Sequence, residues 1–318
     1  MKQRVFRGII FLALTFSVSV SAYAARMLVP VGKVVGLRIS EGSVTVVAFD
    51  NTLGQSAIAA GMQIGDDIQK IDDIPIDCAQ DLHNALSHSD GRVRVTLERR
   101  GRAHEILVDP SVTTQGPRLG VFVREGISGI GTVTYYDPES GSFGALGHGI
   151  SNQQGKLAEM QGGSIYPATV SSVRQGQAGR PGQLGGALKS TQAIGQLRTN
   201  CARGVFGSCE EFTGQVLPVG SAQVGPARIL SNISGEAVEA FSVEILKVCG
   251  PENENGRDMV IKVTDEALLN ATGGIVAGMS GSPIIQDGKL VGAVTHVLVN
   301  SPDTGYGIFI ENMLDAAA

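Results

Sequence analysis

The stretch Gly278-Met279-Ser280-Gly281-Ser282-Pro283-Ile284-Ile285 sets a serine between two glycines and runs straight into a hairpin. The hairpin turns at Asp287-Gly288 and returns through Leu290-Val291-Gly292-Ala293-Val294-Thr295-His296-Val297. A glycine at 278 lets the backbone point its N–H inward, so the N–H groups of Gly278 and Ser280 can face one oxyanion. The return strand offers a track along which an extended polypeptide can lie. The plain alternative is an ordinary Gly/Ser turn, and a second element is needed to choose between the two.

That element is a histidine. Of five histidines, His83, His88 and His104 fall in the N-terminal part, where solvent exposure accounts for them. His148 lies in Phe143-Gly144-Ala145-Leu146-Gly147-His148-Gly149-Ile150, among neighbours too small to bury it by packing. A serine hydroxyl is a poor nucleophile until a base accepts its proton, and imidazole titrates near neutrality. His148 is therefore the candidate base and Ser280 the candidate nucleophile. His296, sixteen positions after Ser280, is a rival base, read here with Thr295 as lining the cleft.

Only two aspartates, Asp258 and Asp265, separate His148 from Ser280. Asp265 follows an apolar strand, Met259 to Val263, and precedes Glu266-Ala267-Leu268-Leu269. It reads equally as the acid that orients the base and as the cap of a short helix, so a triad and a dyad both stand.

The chain begins with Lys2, Arg4 and Arg7, then an uncharged apolar run ending near Ala22-Tyr23-Ala24. This is the pattern of an export signal over residues 1–24, cleaved after Ala24 or retained as an anchor. Either way the rest of the chain is expected outside the cytoplasm, periplasmic or extracytoplasmic. Forty-three glycines, no tryptophan and 17% charged residues suit many short strands, so the expected fold is mostly β. A net charge of −5 without a basic run argues against nucleic acid. Arg99-Arg100, followed by Arg102, reads as a hairpin turn. Cys201 and Cys209 bracket a glycine-containing loop and are the expected disulfide; no CxxC pair or histidine cluster suggests a metal, and no cofactor is expected.

Residues 27–108 read as a separate module. Val34 to Ile39 and Val44 to Phe49 form strands, Ala57 to Ala60 a short helix, and a second helix carries Leu82 and Leu86 on one face. The run Ala57-x-x-Ala60-Gly61-Met62-x-x-Gly65-Asp66-x-Ile68-x-x-Ile71 resembles bacterial PDZ domains. That resemblance implies a loop through Val35, Gly36 and Leu37 that offers N–H groups to a peptide C-terminus, or to the protein's own chain. A module that merely packs on its neighbour is the alternative. Residues 109–118, polar and with two prolines, read as the linker to a second domain over 119–318.

The stretches Ala145-Leu146-Gly147-His148-Gly149, Val263-Thr264-Asp265 and Thr272 through Ile284, continued in Gly292 through Val297, resemble the SpoIVB peptidase family, and the resemblance takes in the PDZ-like module. It implies a chymotrypsin-like double β-barrel with His148, Asp265 and Ser280 as the catalytic set. It implies as well that Gly274, six positions before Ser280, sits where such barrels set their pocket floor. Self-cleavage and action on a membrane-associated regulatory protein are inherited expectations of the same kind. A non-catalytic exported scaffold with a degenerate barrel is the competing expectation, and an esterase using the same nucleophile a further one.

Overall fold

The computed structural model describes residues 26–317 apart from 90, 153–154 and 251–255. The expected signal segment lies outside them.

The C-terminal half is a closed six-stranded barrel. Its strands are β16 (Gly225–Ser234), β17 (Ala237–Val248), β18 (Met259–Val263), β19 (Pro283–Gln286), β20 (Lys289–Leu298) and β21 (Ser301–Phe309), in the spatial order β16-β17-β18-β21-β20-β19. Alternation builds it. In β17, Phe241, Val243 and Ile245 are buried while Ser242, Glu244 and Leu246 face out, and in β18 Met259, Ile261 and Val263 point inward. Pairing of Arg228 with Ile285 and of Ile229 with Ile284 closes the ring, which leaves no edge to aggregate. The β19–β20 turn takes Asp287 and Gly288 through φ 49° and 72°, the two left-handed positions of a tight hairpin.

The N-terminal half holds β1 (Met27–Pro30), β2 (Val34–Phe49), α1 (Gln55–Ala59), β3 (Asp67–Ile71), β4 (Ile74–Pro75), α2 (Ala79–Ser87), β5 (Val93–Arg99), β6 (Arg102–Val108), β7 (Ser111–Thr113) and β8 (Gly116–Arg118). After these come β9 (Val121–Asp137), β10 (Ser142–Ala145), β11 (Gly162–Arg174), β12 (Gln183–Leu188), β13 (Gly195–Cys201), β14 (Gly204–Cys209) and β15 (Leu217–Pro218). Strands β9, β10, β14, β13, β11 and β2 are neighbours in that order, and the β2–β9 pairing returns the last to the first. A second ring results, around Val35, Leu37, Ile39, Val133, Phe143, Ile165, Leu197 and Val205. Two short helices complete the C-terminal half: α3 (Glu266–Thr272) beside the barrel and α4 (Ile310–Ala317), which packs Met313 against Leu28 and Tyr135 between the halves.

Strands β2 and β9 extend beyond the ring. Past an irregularity between Ile39 and Val44 they stay paired, Val44 with Glu125 through Phe49 with Val121, and there they carry β3, β5, β6, α1 and α2. This outlying unit has its own core of Val44, Val46, Ala57, Met62, Ile68, Ile71, Leu82, Leu86, Val93, Val95 and Leu97. It is thus inserted into a barrel hairpin and not placed ahead of the barrels.

Four expectations are corrected here. Residues 27–39, assigned to the N-terminal module, belong to the barrel. Val35, Gly36 and Leu37 pair with Pro167, Tyr166 and Ile165 on one side and with Gly131, Ile130 and Gly129 on the other, so their N–H and C=O groups are committed and cannot receive a peptide. The apolar pattern of 34–39 announces a strand, but it does not say which sheet. Cys201 pairs opposite Gly204 beside the β13–β14 turn and Cys209 opposite Gly195 at the hairpin's far end, so the expected disulfide is absent and both thiols are free. The segment read as a linker forms the β7–β8 hairpin, tied to the inserted unit by Ser111 Oγ donating to Leu53 O at 3.0 Å.

Candidate active site

The loop after β10 carries the histidine. Leu146 and Gly147 take φ 69° and 68°, a left-handed pair that swings the chain from the first barrel to the face of the second. A Cβ on Gly147 would fall 2.8 Å from Thr295 Cγ2 and 2.9 Å from Ile308 Cγ2, so only glycine allows this approach. His148 then projects into a cleft of about 820 Å³ between the barrels, lined also by Ser280, Gly278, His296, Arg257 and a set of aliphatic side chains. His148 Nδ1 lies 2.9 Å from Gly149 O. A carbonyl only accepts, so Nδ1 carries the proton and Nε2 keeps its lone pair, the tautomer a base requires. Burial lowers the imidazole's pKa below the ordinary histidine value, and the bond to Gly149 partly opposes this.

The serine sits on the loop between α3 and β19. Leu184 N donates to Ala277 O at 2.8 Å and Met279 N to Val276 O at 3.0 Å, while Met279 is fully buried beneath. Among the described residues no backbone carbonyl takes the N–H of Gly278 or of Ser280. These are the two donors expected to meet an oxyanion. Ser280 Oγ donates to Thr295 O at 2.8 Å, so the hydroxyl is parked on a backbone carbonyl of β20, and catalysis by this pair requires it to leave that carbonyl for the imidazole.

His296, on β20, stacks beside His148 with ring centroids 5.2 Å apart and planes inclined by 39°. Among the described residues its buried Nδ1 has no hydrogen-bond partner. Burial pushes its pKa down to about 4, helped by the neighbouring His148 and by Arg257, so His296 is neutral near pH 7. Arg257 lies over the Tyr306 ring, 5.1 Å from its centroid.

The remaining sequence candidates lie elsewhere. Asp265 caps α3: Oδ1 accepts from Ala267 N at 3.0 Å and Leu268 N at 3.2 Å, and Oδ2 from Ser242 N at 3.1 Å. Its carboxylate is spent on backbone donors, so the expected acid does not orient His148; the capping alternative describes what is there. Asp258 is likewise occupied, accepting from Phe309 N at 2.8 Å and Asn312 Nδ2 at 2.7 Å. No Asp or Glu occurs among the described residues of the cleft. Gly274 is packed on Pro302, whose carbonyl oxygen a Cβ would approach to 2.1 Å, and it does not line the cleft. Thr295 is buried with Oγ1 donating to Gly256 O at 2.7 Å, and it serves the site through its carbonyl. Sequence reasoning missed Thr132 and the Gly149 carbonyl. Thr132 is one β-branched residue in a strand, and a backbone acceptor leaves no mark in a residue pattern.

Residues 115–314 match the family model described as SpoIVB peptidase S55. No curated protein matches the chain. Among solved structures, the inactive form of the Rv3671c protease is similar at 14% identity and a TM-score of 0.34, covering 59% of this chain and 82% of that one. The active form of Rv3671c from M. tuberculosis is similar at 16% identity and a TM-score of 0.33, covering 61% and 72%.

Proposed function

Since the chain belongs to the SpoIVB peptidase S55 family and is therefore a serine peptidase, we propose that it is an exported endopeptidase working through a His148–Ser280 dyad. The observation that carries this is the pairing, on one cleft, of a histidine whose Nδ1–H is held by Gly149 O with a serine flanked by two unengaged N–H groups. His148 Nε2 takes the Ser280 proton as Oγ attacks a peptide carbonyl, and the N–H groups of Gly278 and Ser280 receive the oxyanion. The imidazolium then protonates the leaving amine, and water, deprotonated by the same nitrogen, releases the acyl group. The Gly149 carbonyl does the orienting that a carboxylate does in a triad. By family resemblance the substrates include the chain's own N-terminal part and a membrane-associated regulatory protein.

The inserted unit is proposed as a PDZ-like module whose peptide groove differs from the one expected. Residues 121–125 of β9 pair with β2 on one edge, and among the described residues no strand pairs with the other. The other edge faces α2 across a groove of about 400 Å³ lined by Ala79, Leu82, His83, Leu86 and the run Leu119-Gly120-Val121-Phe122. A polypeptide C-terminus would add there as a strand, its carboxylate at the Leu119-Gly120 turn beside Arg118.

Fluorophosphonate labelling tests the dyad: the wild-type protein labels, Ser280→Ala and His148→Ala do not, and label on Ser280→Ala would overturn the assignment. For the groove, a fluorescent peptide with a free carboxylate should bind and its C-terminal amide should not. Equal binding of the two would remove the carboxylate site.

A further inference from the structure

The two loops that carry the reacting groups belong to different barrels, yet both are fastened to one residue of β9. Thr132 N donates to Ser280 O at 3.2 Å, Thr132 O accepts from Leu146 N at 3.1 Å, and Thr132 Oγ1 donates to Gly278 O at 2.8 Å. Thr132 is fully buried, and a Cβ on Gly281 would meet its carbonyl oxygen at 2.1 Å, so the turn after Ser280 is seated directly upon it. We propose that Thr132 is a positioning residue of the peptidase reaction, holding the oxyanion donors and the base-bearing loop in one frame. This rests on the dyad reading given above.

The hydroxyl is the informative atom. Thr132 is fully buried, and a buried hydroxyl is costly unless it is bonded; valine, with the same shape, would fill the position without that demand. The bond Thr132 makes sets the plane of the Gly278–Met279 peptide. With Leu184 N on Ala277 O and Met279 N on Val276 O, the three successive peptide planes from Val276 to Met279 are fixed, and the N–H of Gly278, which lies in the second of them, is held where no backbone carbonyl among the described residues takes it. Take the hydroxyl away and the part-buried Gly278 carbonyl loses the donor that holds it. It then gains by rotating toward the cleft, which places an acceptor where a donor must stand. Thr132 touches neither substrate nor the reacting atoms, so its loss should slow acylation and leave probe affinity alone.

The test is the rate of fluorophosphonate acylation of the whole protein, resolved into its limiting rate and half-saturation concentration, for the wild type, Thr132→Val, Thr132→Ser and a core control, Val133→Ala. Thr132→Val is expected to lower the limiting rate by about tenfold or more, a fraction of the loss on deleting an oxyanion donor outright, with half-saturation within about twofold. Thr132→Ser, which keeps the hydroxyl, is expected to recover most of the rate despite the lost methyl. Val133→Ala measures what loss of packing alone does and is expected to acylate at close to the wild-type rate. The proposal is overturned if Thr132→Val acylates as fast as Val133→Ala, or if Thr132→Ser is as slow as Thr132→Val. An unlabelled wild type would remove the dyad and this proposal together, whereas a labelled wild type with an unaffected Thr132→Val removes this proposal alone.

Discussion

At the scale of single residues, the chemistry depends on which groups are charged near neutrality. Burial lowers the His148 pKa, so the imidazole stays neutral, and able to accept a proton, at pH values where an ordinary histidine is already charged. Acylation of Ser280 should therefore hold its rate on acidification through about pH 6.5, the ordinary histidine value, and fall only at lower pH. A midpoint at or above that value in a labelling profile would contradict the buried base. His296 has its own signature. Its folded pKa, near 4, lies below the ordinary value, so the neutral form is favoured by folding, and stability is present above pH 6.5 and lost as pH falls toward 4. His296→Phe, which keeps a ring against His148 and cannot be protonated, should flatten the fall of urea midpoints across that window. Asp265 gives a third prediction. Its carboxylate caps α3, and asparagine caps equally well, so Asp265→Asn should label within a few-fold of wild type, while Asp265→Ala loses about 1 kcal/mol of stability. A loss of labelling in Asp265→Asn as complete as in His148→Ala would restore the triad.

Elements are positioned by contacts of longer range, and here the sequence was partly legible. The turns could be read directly, because Asp287-Gly288 and Arg100-Gly101 need left-handed backbone and announce it by composition. The alternation that buries Phe241, Val243 and Ile245 also named its strand. What could not be read is which strand lies beside which. Val34 to Ile39 has the same apolar signature in a barrel as in a module, and the partners that decide, β9 and β11, lie roughly a hundred residues away in the chain. Asp265 was legible as a cap and as an acid alike, since both uses ask for the same carboxylate. The bond that locks the inserted unit is of this long-range kind. Arg99, at the end of β5, grips the fully buried Asp66 through two bonds, Nε to Oδ1 at 2.6 Å and Nη2 to Oδ2 at 2.7 Å. Burial alone would raise the Asp66 carboxyl; the Arg99 pair and the Gln63 N–H outweigh it and hold the group below the usual carboxylate range. Arg99→Met should cost about 3–5 kcal/mol by stranding that charge, measured by urea unfolding. A cost below about 1 kcal/mol, the range of exposed pairs, would show that water reaches Asp66.

For the molecule as a whole, the deciding feature is the place of the insertion. The sequence presents module and peptidase as successive, because residues 44–108 come first and the histidine and serine later. In space the barrel begins before the module, opens to admit it between β2 and β9, and resumes after it. The two crossing strands are hydrogen-bonded neighbours where they leave the ring, Ile39 opposite Ile127. The ring therefore loses only the Ser40–Gly162 pair between its own strands if the excursion is cut there. Replacing residues 40–126 by a two-residue Asn-Gly turn, the connection suited to adjacent antiparallel strands, should give a soluble protein that keeps Thr132, His148 and Ser280 in place and still takes fluorophosphonate on Ser280. The core of the inserted unit, Ile68, Ile71, Leu86 and Val95 among others, is separate from the barrel cores, so its removal exposes no barrel interior. Binding of a free-carboxylate peptide should vanish in the same variant, because Leu82, Leu86 and Leu119 through Phe122 leave with the insert. If the shortened protein folds by circular dichroism yet fails to label, the insert is needed to set the cleft, and the long strand β9 that joins the peptide groove to Thr132 is the element through which it would act.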